Sequence, residues 1–135
     1  MSDFNARIIE EFRSNGGRVG GPFAGAPILL LTTTGAKTGK QRTNPLAYLP
    51  DGERVVVFAS KAGAPTNPDW YHNLVAQPDV TIEVDGETRP VRARVTQGAE
   101  RDELFSRQKQ AMPGFADYEA KTDRVIPVVE LISGS

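Results

Sequence analysis

The sequence predicts an α+β domain whose antiparallel strands curl into a barrel or strongly bent sheet, with helices at its edges. Three observations carry that prediction. Short β-type runs are joined by the hairpin signals Asp51-Gly52 and Asp85-Gly86. Helical patterns stand at the edges and between groups of strands, not in regular alternation with single strands, which argues against a parallel sheet. At 135 residues, with 39% hydrophobic and 24% charged residues, the chain can bury one core without staples and has the composition of one globular domain.

The elements follow in order. Asp3 to Ser14 is helical, because Phe4, Ile8, Ile9 and Phe12 recur at helical spacing opposite Glu10, Glu11 and Arg13. Ser2 or Asp3 caps it. Its apolar face packs on the core or, in the alternative reading, touches a membrane or a lipid-like substrate. Asn15 to Pro27 is a Gly- and Pro-rich loop, so residues 1–27 form an N-terminal helix and loop of the domain whose barrel occupies 28–135. Ile28 to Thr34 is a buried strand, with a leucine run followed by β-branched threonines. Gly35 to Gly39 is a turn. The next strand opens on Lys40-Gln41-Arg42 and runs on through Thr43 to Leu49; Arg54 to Ala59 follows.

Pro68 to Ala76 is a short helix with Asn67 as cap and Pro68 in its first turn. It carries Trp70, Tyr71 and His72, the last read as a surface residue. Val80 to Val84 and Thr88 to Thr96 alternate as strands. The second sets Arg92 and Arg94 opposite Val91, Ala93 and Val95, and that arginine face reads as solvated. Ala99 to Ala111 is an amphipathic helix broken at Met112-Pro113-Gly114. Phe115 to Lys121 is a further helical stretch, and Val125 to Ile132 the last strand.

The chemistry is narrowed mainly by exclusion. The chain has no Cys and one His, which removes thiolate nucleophiles, disulfides and multi-His metal sites, and fits a reducing cytoplasm. A net charge of −1 brings no general attraction to nucleic acid. No apolar run approaches a membrane span, and no signal peptide opens the chain. Ser60 lacks a nucleophile elbow. The Gly35–Gly39 turn is not a P-loop, since Gln41 follows Gly39-Lys40, and no G-x-G-x-x-G occurs.

What remains is an anion cradle. Gly35 and Gly39 let the backbone turn sharply and expose amides, and Lys37, Lys40 and Arg42 stand beside them. A second small-residue loop, Ser60 to Pro68, adds Lys61 and leads to Trp70-Tyr71. Two cationic loops with an aromatic pair suit a flat ring bearing an anionic tail, as in a hydride-carrying cofactor.

The stretches TTTGAKTGKQRTNP (Thr32 to Pro45), ASKAGAPTNPDWYHNL (Ala59 to Leu74) and DYEAKTDRVIPVVEL (Asp117 to Leu131) resemble the deazaflavin (F420)-dependent nitroreductase family of actinobacteria, in the same order and at family spacing. The resemblance implies a split β-barrel of the FMN-binding type and a reductase that passes a hydride from reduced coenzyme F420 to a quinone or nitroaromatic. It assigns Lys37, Thr38, Gly39 and Arg42 to the phosphate and acidic tail, and Asn44 and Pro45 to the strand beside the ring. Ala59, Ser60 and Lys61 fall at the deazaflavin head, with Ser60 also near the acceptor, and Trp70 and Tyr71 on the closing helix. Tyr118 falls in the acceptor pocket, where Ser60 or Tyr118 polarises the acceptor oxygen. Met112 and Phe115 stand where the nitroimidazole-active type has further tyrosines. They cannot donate a proton to a nitro group, but with Tyr118 they suit a quinone ring. Two rival readings stay open at this point: an FMN-dependent oxidoreductase on the same barrel, and a non-catalytic F420 carrier. A homodimer and peripheral membrane contact are both compatible with this reading.

Overall fold

The computed structural model describes residues 3–14, 27–51, 54–60, 66–84, 87–123 and 125–133. Ser2, most of the Asn15 to Pro27 loop, Gly52, the Asp85-Gly86 turn and Lys61 lie outside the described residues. Ten elements follow one another: α1 (Asp3–Ser14), β1 (Ile28–Thr34), β2 (Gln41–Asp51), β3 (Arg54–Phe58), α2 (Asp69–Ala76), β4 (Asp79–Val84), β5 (Glu87–Val95), α3 (Gly98–Ala111), α4 (Gly114–Ala120) and β6 (Val128–Ser133). The six strands close into a barrel in the order β1-β2-β3-β6-β5-β4, antiparallel at every seam.

Strand side chains alternate between two faces, and along β1, β3 and β6 both faces are covered. Leu29, Leu31, Val55, Val57, Ile82, Val129 and Leu131 fill the interior. Ile28 and Leu30 point outward beneath Phe12 of α1. Val56, Phe58 and Val128 point outward beneath Leu104 and Phe105 of α3 and Phe115 of α4. Burial on both sides is why Ile28–Leu31 and Val55–Phe58 read as unbroken apolar runs. The apolar side of α1 packs on the barrel, with Ile8 and Phe12 buried and Phe12 set against Ile28 and Leu30 of β1. The far end of α1 is tied to β4 by Arg13, whose Nε and Nη2 donate to the Glu83 carboxylate at 3.1 and 2.8 Å. That hydrogen bond raises the Arg13 pKa further, against a small opposing effect of burial.

Most element ends shift by a residue or two, and three of the differences have a clear physical reason. The last strand begins at Val128, not Val125; Pro127 has no N–H for the ladder, and its carbonyl accepts from Ala59 N at 2.9 Å instead. The N-cap of α2 is Pro68, in extended conformation, so Asn67 precedes the cap. The strand after the turn is one element of 11 residues that passes through Pro45. Pro45 is tolerated because β3 pairs only with Tyr48–Asp51, leaving β2 with β1 alone as its partner there. The arginine face of β5 is paired rather than merely solvated. Arg94 Nε donates to Glu130 Oε1 at 3.1 Å and its Nη2 to Glu100 at 2.8 Å, while Arg92 meets Asp79 at 3.0 Å.

Candidate active site

The one-sided stretch of β2 borders the candidate site. The β1–β2 turn is built tightly. A Cβ on Gly35 would lie 2.7 Å from Thr38 Oγ1 and 3.2 Å from the Lys40 carbonyl, so a side chain there would displace the Thr38 hydroxyl and crowd the turn. Gly39 takes φ +71°, where glycine is unstrained. Both amides expected to be bare are in fact used to close the turn: Gly35 N donates to Lys40 O at 2.7 Å and Gly39 N to Gly35 O at 2.9 Å. The turn therefore offers side-chain cations, not a nest of those amides.

Across from the turn, α2 plugs the barrel end through Trp70 and Leu74, both in the interior cluster. Asn73 shares their face at helical spacing and is 7% exposed. Its Oδ1 accepts from Ala36 N at 3.0 Å, and its Nδ2 donates to Thr33 Oγ1 at 3.1 Å. Between turn and helix lies a cleft of about 1040 Å³, bounded by Gly35–Thr38, Gln41–Asn44, Asp69, Trp70, His72, Asn73 and Ile9 of α1. That is the size of a cofactor site.

Of the residues singled out by sequence, Lys37, Thr38, Arg42, Asn44 and Trp70 converge on this cleft. Lys37 and Arg42 are exposed, and neither has a carboxylate partner among the described residues. Gly39 shapes the turn without lining the cleft, and Pro45 lies opposite Leu30 in the ladder. Ala59 is fully buried in the interior cluster, and Ser60 beside it is 8% exposed. Tyr71 packs partly against the core, its ring edge-on to His72 at 5.7 Å.

Met112, Phe115 and Tyr118 are brought together, but elsewhere. They belong to the cluster beneath α3 and α4, where the Phe115 ring lies 5.7 Å from Phe58 and 5.2 Å from Tyr118. None of the three borders the cleft. The reason is topological: α4 lies over the outward face of β3, so Phe115 meets outward-pointing Phe58.

Sequence reading missed Ile9, Ala36, Gln41, Thr43, Asp69, His72 and Asn73 as cleft residues. Asn73 had a signal: a buried-face position, three after Trp70 and one before Leu74, occupied by an amide. His72, read as a surface residue, is exposed and borders the cleft.

The chemistry available is binding and orientation. No group of three or more His, Cys, Asp or Glu suited to a metal occurs among the described residues. Two unpaired cations, an aromatic floor and a large cleft fit a ring cofactor with a phosphorylated, acidic tail. Fold and cleft together define a closed antiparallel barrel with a cleft suited to such a cofactor.

Comparison with known proteins narrows this class. The sequence profile of the family described as F420H(2)-dependent quinone reductase matches residues 6–132. An F420H(2)-dependent quinone reductase of Mycobacterium tuberculosis (strain ATCC 25618 / H37Rv) is 42% identical over 126 residues, 89% of this chain and 83% of the relative. A solved F420-H2 dependent reductase superposes with TM-score 0.71 at 40% identity, covering 78% of this chain and 93% of that one. Another structure, described as a domain-swapped dimer, gives TM-score 0.73 at 38% identity over 93% and 92% of the two chains. The chain belongs to the F420H(2)-dependent quinone reductase family. It is an oxidoreductase with coenzyme F420 as its cofactor, and it transfers hydride to a quinone.

Proposed function

We propose that the cleft between the β1–β2 turn and α2 is the coenzyme F420 site, with Lys37 and Arg42 gripping the phosphate and acidic tail. When bound, the reduced deazaflavin supplies the hydride. The protein's own residues do the holding. Thr38 adds a hydroxyl beside the two cations, Asn44 offers an amide from β2, and Trp70 closes the barrel end behind them. The observation that carries this reading is that, among the described residues, the two cations bordering the cleft, Lys37 and Arg42, have no carboxylate partner. Preorganised cations favour a trianionic or polyanionic tail without breaking an existing bond.

The test is a titration of the protein with coenzyme F420, followed by cofactor fluorescence, for Lys37→Ala and Arg42→Ala. Each should weaken binding by about 1.5–3 kcal/mol, the worth of a charge-assisted hydrogen bond. Affinity equal to that of the parent in both variants would remove the cleft as the cofactor site. For the acceptor, we propose quinones ahead of nitroaromatics, supported by the description of the matching family and of its 42% identical relative as quinone reductases. Turnover of reduced F420 with a menaquinone analogue should exceed that with a nitroimidazole. A homodimer is the assembly we propose, supported by the dimeric form of the 38% identical structure; light scattering of the purified protein checks it.

A further inference from the structure

The two walls of the cleft come from distant parts of the chain. One is the turn that carries Lys37 and Thr38; the other is α2. The turn closes on itself through Gly35 N to Lys40 O, Gly39 N to Gly35 O, and Lys40 N to Thr38 Oγ1 at 3.3 Å. Those bonds set its shape but not its place on the barrel. A side-chain bond from α2 does reach it: Asn73 Oδ1 accepts from Ala36 N at 3.0 Å, 37 residues away in the chain. Ala36 immediately precedes Lys37.

The orientation of that amide is determined. Ala36 N–H can only donate, so it demands the oxygen of Asn73. The nitrogen is then turned toward Thr33 Oγ1, itself buried on the inward face of β1. One side chain thus engages the turn, the strand that feeds it and the helix opposite. Burying an amide at this apolar helix end costs free energy unless both of its ends are bonded, and here both are.

We infer that Asn73 is a positioning residue for the cofactor grip: it holds the Lys37-bearing turn at a fixed distance from α2, so that anion affinity depends on a helix residue acting through the turn. Nothing in this role requires Asn73 to touch the ligand. The inference rests on the cleft being the F420 site, and the test separates the two.

Coenzyme F420 is titrated into the parent, Asn73→Ala, Lys37→Ala and the double variant, with circular dichroism as a check on folding. Asn73→Ala should raise the dissociation constant about tenfold while changing kcat at saturating cofactor less than twofold. In the Lys37→Ala background the same change should cost less than twofold, because the group being positioned is gone. Without any ligand, amide exchange at Ala36 measured by NMR should quicken in Asn73→Ala. If Asn73→Ala fails to fold, Thr33→Val serves: it loosens the Asn73 amide from below and should raise the dissociation constant about threefold, again only when Lys37 is present. An unchanged dissociation constant in a folded Asn73→Ala, or an equal penalty with and without Lys37, overturns the positioning role. If Lys37→Ala itself binds F420 as the parent does, the cofactor assignment fails instead.

Discussion

Two regions of this molecule carry clustered cations on or beside strands, and they behave oppositely. On β5, Arg92 and Arg94 look like an exposed basic stripe, yet each is matched. Arg92 meets Asp79, and Arg94 reaches Glu100 and also Glu130, a carboxylate only 2% exposed. At the β1–β2 turn, Lys37 and Arg42 are as exposed, but the described residues offer them no carboxylate. The difference teaches that an anion site is marked by absence of compensation and not by density of charge. A paired arginine must give up a bond to take a ligand; an unpaired one beside a cleft meets it with the full charge-assisted gain. The β5 arginines are therefore part of the fold, whereas the turn cations have no carboxylate to give up in the binding role proposed for them.

That contrast can be broken by substitution. The largest effect belongs to Lys37→Ala combined with Arg42→Ala. Loss of two charge-assisted contacts should cost about 3 kcal/mol or more of F420 affinity, over 100-fold. The melting temperature should stay within about 2 °C, since no native bond is lost. A variant that loses stability but keeps its affinity would reverse the distinction. Arg94→Ala should do the opposite. Removing the Arg94 guanidinium from buried Glu130 should cost about 2 kcal/mol of stability in chemical denaturation. The figure stays at the low end because Arg94 is half exposed. F420 affinity should hold.

Smaller changes sharpen the picture. Asp69 is the one carboxylate among the described residues bordering the cleft. Asp69→Asn should tighten F420 binding about twofold at low salt, and the gain should shrink as ionic strength rises. Calorimetry at two salt concentrations reads both effects. Arg92→Gln, at a pair exposed on both sides, should shift stability by less than about 0.5 kcal/mol and leave binding unmoved. A larger loss would show that the outer pair matters more than its exposure allows.

Most of the fold was legible, and the reasons differ by element. The bounds of α1 and β1 came directly from apolar spacing, because helical and strand periods are local properties of the chain. The start of β6 was less legible: Val125 to Pro127 is apolar and extended but outside the ladder, and only the position of the neighbouring strands decides that. Within the site, Lys37, Thr38, Arg42 and Asn44 could be seen because they crowd into one short stretch. Asp69, His72 and Asn73 could not, since their relevance depends on α2 swinging back over that stretch. The expected pocket of Met112, Phe115 and Tyr118 shows the same gap. Three side chains gathered at one place do not reveal which face of the barrel they will meet.

By itself the sequence determined the periodic elements, the glycine-dependent turn, the barrel class and the family, all of which rest on contacts or motifs close along the chain. Tertiary structure alone decided which cations are compensated. Arg94 finds Glu130 from 36 residues away, and the turn finds Asn73 from 37. Such pairs form only when barrel closure brings β5 against β6 and α2 against β1. The physical reason is that compensation is a property of neighbours in space, and closure chooses those neighbours.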